Sequence, residues 1–193
     1  ALRDLADEHE FLLLFDEVQT GFGTTGRWWC FEHFDVVPDI LAFGKKTQVS
    51  GIAATERLDE VESVFRVSSR INSTWGGNLV DMVRCQGIIA AIEEEGLLER
   101  TSRAGERLLS GLQALETSYS GRLTNARGRG LFLAFDTPSP EIRAEALHEM
   151  REERLLGLAS GERSIRFRPP LVLEDVHVDE GLERIERSLS RVL

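Results

Sequence analysis

A lysine and an aspartate each follow a short apolar run in this sequence of 193 residues. Asp16 comes directly after residues 11–15, and Lys45 comes directly after residues 40–44. Each run is typical of a buried strand of a parallel sheet, whose carboxyl ends form the edge at which open α/β sheets bind ligands. A lysine amine can hold an aldehyde as a Schiff base, and a buried carboxylate can keep a ring nitrogen protonated. The pair therefore suits pyridoxal phosphate (PLP), although a surface lysine and a solvated turn acid would give the same pattern.

Composition and charge exclude several classes of function. The net charge of −10 comes from scattered acids, which argues against a surface for nucleic acid or anionic membrane. The longest apolar stretches are far shorter than a membrane span. Cys30 and Cys85 have neither the spacing of a metal site nor that of a disulfide framework. We therefore expect a cytoplasmic protein with free thiols and no metal.

The pattern of elements predicts an α/β chain in three parts. In the first part, residues 1–77, strand-like and short helical runs alternate from residue 11 to about residue 60, and a polar, irregular piece follows at 68–77. Residues 78–118 form two connecting helices, and residues 119–193 form a small α+β domain. The chain opens inside an amphipathic helix without an initiator methionine, so we expect a chain cut inside a domain. The predicted strands are residues 11–15, 40–44, 51–55, 131–135 and 164–168. The predicted helices are residues 79–92, a second reaching about residue 115, residues 141–154, and a last one with apolar residues 178, 182, 185, 189 and 192. Ser139 and Pro140 open the helix at 141–154 as its N-cap and first position.

Residues 21–26, Gly-Phe-Gly-Thr-Thr-Gly, match the glycine pattern of dinucleotide-binding folds and follow a strand. However, residues 16–19 intervene where the tight phosphate turn should begin. The acid expected to bind ribose at the end of the second strand is also missing, because Asp39 lies at the beginning of that strand. The sequence therefore disfavours a nicotinamide site.

Residues 15–23, Phe-Asp-Glu-Val-Gln-Thr-Gly-Phe-Gly, together with Pro-Asp-Ile at 38–40 and Phe-Gly-Lys-Lys at 43–46, resemble the signature of the class III aminotransferases. That resemblance implies the fold of the fold-type I PLP-dependent transferases. The chain would then hold the carboxyl-terminal part of the large parallel-sheet domain and the small carboxyl-terminal domain. It would be a fragment with an incomplete site.

The resemblance implies a role for each residue of the motif. Lys45 forms the Schiff base with PLP, with Lys46 as its rival. Asp16 pairs with the pyridinium nitrogen, Val18 packs on the ring face, and Gln19 lies beside the phenolic oxygen.

The resemblance implies functional roles for three more residues. The threonine that matches Thr74 reaches the PLP phosphate of the neighbouring subunit, which implies a homodimer. Arg166 binds the carboxylate beside the reacting carbon of 2-oxoglutarate or glutamate, since a guanidinium suits a bidentate carboxylate bond. Asn72, which stands where many members have histidine, is a second candidate for substrate binding. Arg168 shares the strand face of Arg166 and is equally well explained as a member of a surface ion pair.

Several departures from the common family pattern narrow the resemblance. Thr24 replaces arginine, Leu79 replaces proline, and residues 47–51 replace a glycine-richer run. These departures, together with the sequence of residues 69–84, are similar to the L-lysine 6-aminotransferases. The implied reaction moves the terminal amino group of L-lysine to 2-oxoglutarate, giving 2-aminoadipate 6-semialdehyde and glutamate. A 4-aminobutyrate or ornithine aminotransferase would share every core residue, and a noncatalytic module with the PLP fold also stays open.

Overall fold

The computed structural model describes residues 1–70, 74 and 76–193. These residues form two compact units: unit 1 comprises residues 1–22 and 27–95, and unit 2 comprises residues 23–26 and 96–193. Within the described ranges, none of the helices has the length and apolarity needed to cross a membrane. The division at residues 1–77, 78–118 and 119–193 stays a prediction.

Unit 1 is built on a three-stranded sheet whose strands, in sheet order, are β1 (Leu14–Asp16), β2 (Ile40–Phe43) and β3 (Gly51–Ala54). Strands β1 and β2 are parallel, and β2 and β3 are antiparallel. A long helix, α2, closes the unit along the chain. Short 3-10 helices occupy Cys30–His33, Lys45–Thr47 and Glu56–Glu60. The bounds of the longer elements are α1 Leu2–Glu8, β1 Leu14–Asp16, β2 Ile40–Phe43, β3 Gly51–Ala54 and α2 Leu79–Glu94.

The strands predicted from the first two apolar runs exist, but their expected burial is wrong for β1. Leu14 is 55% exposed and Asp16 is exposed, whereas Leu13 just before the strand is buried. Successive side chains of a strand point to opposite faces, so one face of β1 is packed and the other is open. A sheet of three strands has too few covering elements within unit 1 to bury both faces. The sheet is also mixed, not purely parallel, because β3 runs antiparallel.

A buried carboxylate joins the beginnings of β1 and β2. Asp39 accepts hydrogen bonds from the Leu13 amide at 2.7 Å and from the Arg3 guanidinium at 3.0 Å, and Arg57 lies 3.4 Å away. Burial raises the pKa of Asp39, but the Leu13 amide and Arg3 outweigh it and hold that pKa below its ordinary value. This anchor helps to set the register that carries on to the other end of the strands.

Unit 2 consists of a four-stranded antiparallel sheet of order β4-β5-β7-β6 and the helices that pack against it. The core between them contains Leu112, Phe135, Met150, Ile165 and Ile185, each at most 1% exposed. The bounds are α3 Leu97–Ser118, β4 Thr124–Arg129, β5 Phe132–Asp136, α4 Pro140–Glu152, β6 Leu158–Ser160, β7 Ser164–Phe167 and α5 Asp175–Leu189.

Most predicted elements of unit 2 are confirmed. The Ser139 hydroxyl accepts a hydrogen bond from the Ile142 amide at 3.3 Å and caps α4, as the Ser-Pro pair predicts. Val178, Ile185 and Leu189 form the buried stripe of α5. The sequence analysis missed β4 and β6, because both are edge strands. An edge strand needs little apolar surface, and β4 is largely polar while β6 has only three residues.

Candidate active site

The register of β1 and β2 decides which side chains meet at the sheet edge. Asp16 pairs with Ala42 in the parallel ladder, and the next bond runs from the Glu17 amide to the Ala42 carbonyl at 2.9 Å. Lys45 follows Ala42 by three residues, just beyond the end of β2. Parallel neighbours end on the same edge, so the aspartate and the lysine are both delivered to the carboxyl edge of this sheet.

Lys45 has an unusual backbone conformation in the connection between β2 and β3. It begins a 3-10 helix with φ at +58°, and Gln48 ends that helix with φ at +60°. A left-handed conformation costs an L-residue about 1–2 kcal/mol, and such residues concentrate at functional sites. The Lys45 carbonyl accepts a hydrogen bond from the Gln48 amide at 3.1 Å, which closes the turn. The side chain of Lys45 is exposed.

The neighbouring lysine is engaged elsewhere. The Lys46 ammonium donates a hydrogen bond to the Gln19 carbonyl at 3.2 Å, and the side chain is half-buried. Among the described residues, no hydrogen bond or ion pair involves the Lys45 ammonium. This difference favours Lys45 over Lys46 as the amine open to a cofactor aldehyde.

Asp16 is exposed at the end of β1 and is oriented by its own turn. Its Oδ1 accepts a hydrogen bond from the Val18 amide at 3.0 Å. The carboxylate also lines a cavity of about 320 Å³ together with Leu14, Phe31 and Phe34. A carboxylate, an exposed amine and the half-buried side chains of Val18 and Gln19 thus share one region of unit 1. This donor set fits a cofactor that carries a ring nitrogen and an aldehyde.

Glu17 is a functional candidate that the sequence analysis missed. Its side chain is only 3% exposed, and it accepts hydrogen bonds from the Thr20 hydroxyl at 2.5 Å and from the amides of Cys30 at 3.0 Å and Phe31 at 2.8 Å. The carboxylate therefore fixes the loop after β1 to the 3-10 helix at Cys30–His33. Acids are rarely buried, and 13 residues separate Glu17 from Cys30, so no local sequence pattern signals this contact.

Aromatic packing holds the same loop from another side. Phe22 and Trp29 lie 4.9 Å apart between ring centroids in an edge-to-face arrangement, and Phe43, the last residue of β2, lies 6.1 Å from each. Phe22 and Trp29 are thus packed against the end of the strand that leads to Lys45.

Thr74 is exposed within a turn of unit 1. The prediction for Asn72 lies outside the described residues. The proposed roles of both residues stay predictions.

Arg166 belongs to unit 2, in the middle of β7. It pairs with Ala134 of β5 on one side and Leu158 of β6 on the other, and Arg127 of β4 pairs with Ala134 in the same row. Arg166 is half-buried, with its guanidinium carbon 6.0 Å from the centre of the Phe132 ring. This distance is that of a weak cation–π contact on the same face of the sheet.

An acid two rows away on the same face of the sheet organises this arginine-bearing face. Asp136 is 9% exposed and accepts hydrogen bonds from the Ser164 hydroxyl at 2.6 Å, from Asn125 at 3.1 Å and from Arg127 at 2.9 Å. Burial raises the pKa of Asp136, but these three donors, with Ser164 first, bring it below its ordinary value. The Arg127 guanidinium is thereby committed to structure.

A larger apolar cavity of about 390 Å³ lies elsewhere in unit 2. Leucines, Phe167 and two prolines line most of it, and its polar lining comes from Arg168 and His177. None of the predicted site residues contributes to this lining, so its size alone does not make it the site of the chemistry.

The glycines that resemble a nucleotide-binding motif serve packing. Gly23 and Gly26 have φ of +86° and +85°, and a Cβ on Gly26 would lie 2.1 Å from the Ser102 hydroxyl. The Thr24 carbonyl between them accepts a hydrogen bond from the Leu131 amide at 2.8 Å. These contacts account for the glycines without a phosphate.

Comparison with known proteins identifies the family. The sequence model of the protein family described as aminotransferase class-III matches residues 1–189. The chain belongs to the class III aminotransferases.

Named relatives agree with this assignment. The chain is 46% identical over 192 residues to an L-lysine-epsilon aminotransferase of Amycolatopsis lactamdurans, with 98% of this chain and 43% of that protein covered. It is 37% identical over 196 residues to a 4-aminobutyrate aminotransferase of Dictyostelium discoideum, with 99% and 38% covered.

The fold agrees as well. A solved structure of lysine aminotransferase from M. tuberculosis in the internal aldimine form matches with a TM-score of 0.96 and 44% identity. The match covers all of this chain and 44% of that one. This chain therefore spans only 38–44% of the length of these relatives, and it holds a mixed α/β portion of the family fold.

Proposed function

We propose that this chain supplies the lysine-bearing part of a PLP-dependent L-lysine 6-aminotransferase. The observation that carries the proposal is the β1–β2 register, which delivers Asp16 and Lys45 to one sheet edge. The similarity to L-lysine-epsilon aminotransferases, at 42–46% identity, supports lysine as the amino donor. The reaction is transfer of the terminal amino group of L-lysine to 2-oxoglutarate, which gives 2-aminoadipate 6-semialdehyde and glutamate.

In this proposal each residue of the edge has a defined role. When bound, PLP supplies an electron sink for the substrate carbon that bears the amine. Lys45 Nζ binds the cofactor aldehyde and later moves a proton to and from that substrate carbon. The Asp16 carboxylate holds a proton at the ring nitrogen, Val18 packs on the ring face, and Gln19 contacts the phenolic oxygen.

The substrates are distinguished by their carboxylates. Arg166 binds the carboxylate beside the reacting carbon of 2-oxoglutarate through a bidentate pair. L-lysine reacts at its far end, where no carboxylate neighbours the amine. Asn72 is a further substrate contact, and Thr74 serves the cofactor phosphate of the neighbouring subunit in a homodimer.

A comparison of substrates tests the proposal in the full-length enzyme. By full-length enzyme we mean a polypeptide that joins this chain to the part of the family fold that this chain does not span. We expect kcat/KM with 2-oxoglutarate as acceptor to be highest for L-lysine, compared with L-ornithine and 4-aminobutyrate. A preference for 4-aminobutyrate would transfer the assignment to the second kind of relative. Absence of any PLP absorbance band after loading would leave a noncatalytic module as the function.

A further inference from the structure

We propose that Lys46 is a positioning residue that holds the Gln19 loop against the Lys45 turn, an inference that rests on the proposed function. The Lys46 ammonium donates to the Gln19 carbonyl at 3.2 Å. Lys46 is half-buried, whereas Lys45 beside it is exposed. Two lysines adjacent in sequence thus do different work: one is open to a cofactor, and the other ties two parts of the edge together.

The geometry of the turn separates the two side chains. Both residues belong to the short 3-10 helix Lys45–Thr47, whose first residue has the left-handed φ of +58°. The Lys46 side chain reaches back to the Gln19 carbonyl, whereas the Lys45 side chain is exposed. The bond to Gln19 therefore also fixes the rotation of the turn from which Lys45 projects.

The Lys46–Gln19 bond lies beyond the last backbone hydrogen bond between β1 and β2. The β1–β2 pairing ends with Asp16 opposite Ala42, followed by the Glu17 amide bond to the Ala42 carbonyl. Beyond this point β1 continues into the Gln19 loop and β2 into the Lys45 turn. The Lys46 side chain connects these two segments by a hydrogen bond.

The other side of the Gln19 loop is held independently. The Glu17 carboxylate binds Thr20 and the amides of Cys30 and Phe31. Loss of the Lys46 bond should leave those contacts in place and release mainly Gln19 and the Lys45 turn. The expected consequence is a local change at the cofactor site and an intact fold.

The test compares Lys46→Met and Lys46→Arg with wild type in the full-length enzyme. Methionine keeps an unbranched apolar stem of similar length but donates no hydrogen bond, whereas arginine keeps the charge and the donors. We expect Lys46→Met to weaken PLP binding about tenfold, since a charge-assisted hydrogen bond is lost. We also expect it to shift the pH midpoint of the cofactor absorbance band, because Gln19 adjoins the phenolic oxygen. Lys46→Arg should restore most of both properties.

A matched control is Arg66→Met, which removes an exposed cation of unit 1 that pairs with Asp59. It should leave PLP binding and the pH midpoint unchanged. Equal unfolding temperatures of the wild-type and Lys46→Met apoproteins would support a positioning role, whereas a large loss in both Lys46 variants would make the role purely structural and overturn the inference.

The remaining outcomes separate this inference from the proposed function. Wild-type PLP binding that Lys46→Met leaves unchanged overturns the inference alone. Loss of covalent cofactor attachment in Lys46→Met, with attachment kept in Lys45→Ala, makes Lys46 the cofactor lysine and overturns it as well. Failure of the wild type to bind PLP overturns the proposed function and this inference together.

Discussion

Asp16 lies opposite Ala42 in the parallel pair of β1 and β2, and Lys45 follows Ala42 by three residues at the same edge. A carboxylate and an amine are thus placed by backbone hydrogen bonds, which are far stiffer than the side chains themselves. The left-handed backbone of Lys45, with φ at +58°, adds a strained turn at the point where the amine leaves the sheet.

Reduction should locate the cofactor on Lys45. Borohydride treatment of the PLP-loaded full-length enzyme is expected to leave a stable pyridoxyl group on the peptide that contains residues 45 and 46. Fragmentation by mass spectrometry should then assign the added mass to Lys45, because the Lys46 ammonium is bound to the Gln19 carbonyl. The added mass on Lys46 would refute the assignment.

Replacing Asp16 with asparagine should slow the chemistry and spare binding. The amide nearly preserves the shape of the carboxylate but removes the charge that would hold a proton at the ring nitrogen. We expect kcat to fall by orders of magnitude while PLP stays bound, as judged by single-turnover kinetics and absorbance. Asp35→Asn, a change at an exposed turn acid of the same unit, should leave kcat unchanged. Near-normal turnover of Asp16→Asn would refute the role.

Arg166→Ala should separate the two half-reactions. Truncating a buried charge-assisted pair costs about 2–5 kcal/mol, and we expect this loss in the 2-oxoglutarate half-reaction. The L-lysine half-reaction, followed by stopped-flow absorbance in a single turnover, should change much less. Arg168→Ala, at the exposed residue after β7, serves as the control and should affect neither half strongly. An equal fall in both halves would make Arg166 structural or a contact for both substrates.

Glu17→Gln should destabilise the loop after β1. One carboxylate oxygen would become an NH₂ group, which cannot accept a hydrogen bond, so the amide of either Cys30 or Phe31 would lose its acceptor. Leaving a buried donor without an acceptor costs about 1–3 kcal/mol, so the thermal unfolding midpoint should fall by several degrees. Glu10→Gln, at an exposed acid of the same unit, is the matched control. Wild-type stability of Glu17→Gln would show that the loop does not depend on this carboxylate.

Asp136 should make the stability of unit 2 sensitive to acid. Its pKa is lowered in the folded state from the ordinary value of 3.8, despite the opposing effect of burial, by Ser164, Asn125 and Arg127. A group with a lowered folded-state pKa stabilises the fold above its unfolded-state pKa, and that contribution disappears as pH falls through the folded value. Asp136→Asn should therefore be less stable than wild type from neutral pH down to about pH 5, and the difference should shrink as pH drops below 3.8. Urea unfolding at a series of pH values measures this difference, and a difference that does not vary with pH would refute the linkage.

Short-range patterns in the sequence were enough to predict much of the fold. Ser139 and Pro140 mark the beginning of α4 because a hydroxyl cap and a proline at the first position both satisfy a helix terminus locally. The apolar spacing of α5 works in the same way, since a periodic stripe is buried whichever surface it meets. Asp16 and Lys45 were found because each directly follows an apolar run, and such runs are visible in sequence.

Other features depend on contacts between distant parts of the chain. The bond between Lys46 and the Gln19 carbonyl, the burial of Glu17 and the antiparallel direction of β3 are examples, and so are the polar edge strands β4 and β6. A polar side chain has the same sequence signature whether it is solvated or buried on a backbone amide, so only packing distinguishes the two. The sequence by itself therefore determined the family, the candidate amine and the candidate acid. Only the tertiary structure decided which lysine is engaged and which carboxylates are structural, because long-range register and burial select the partner of each polar group.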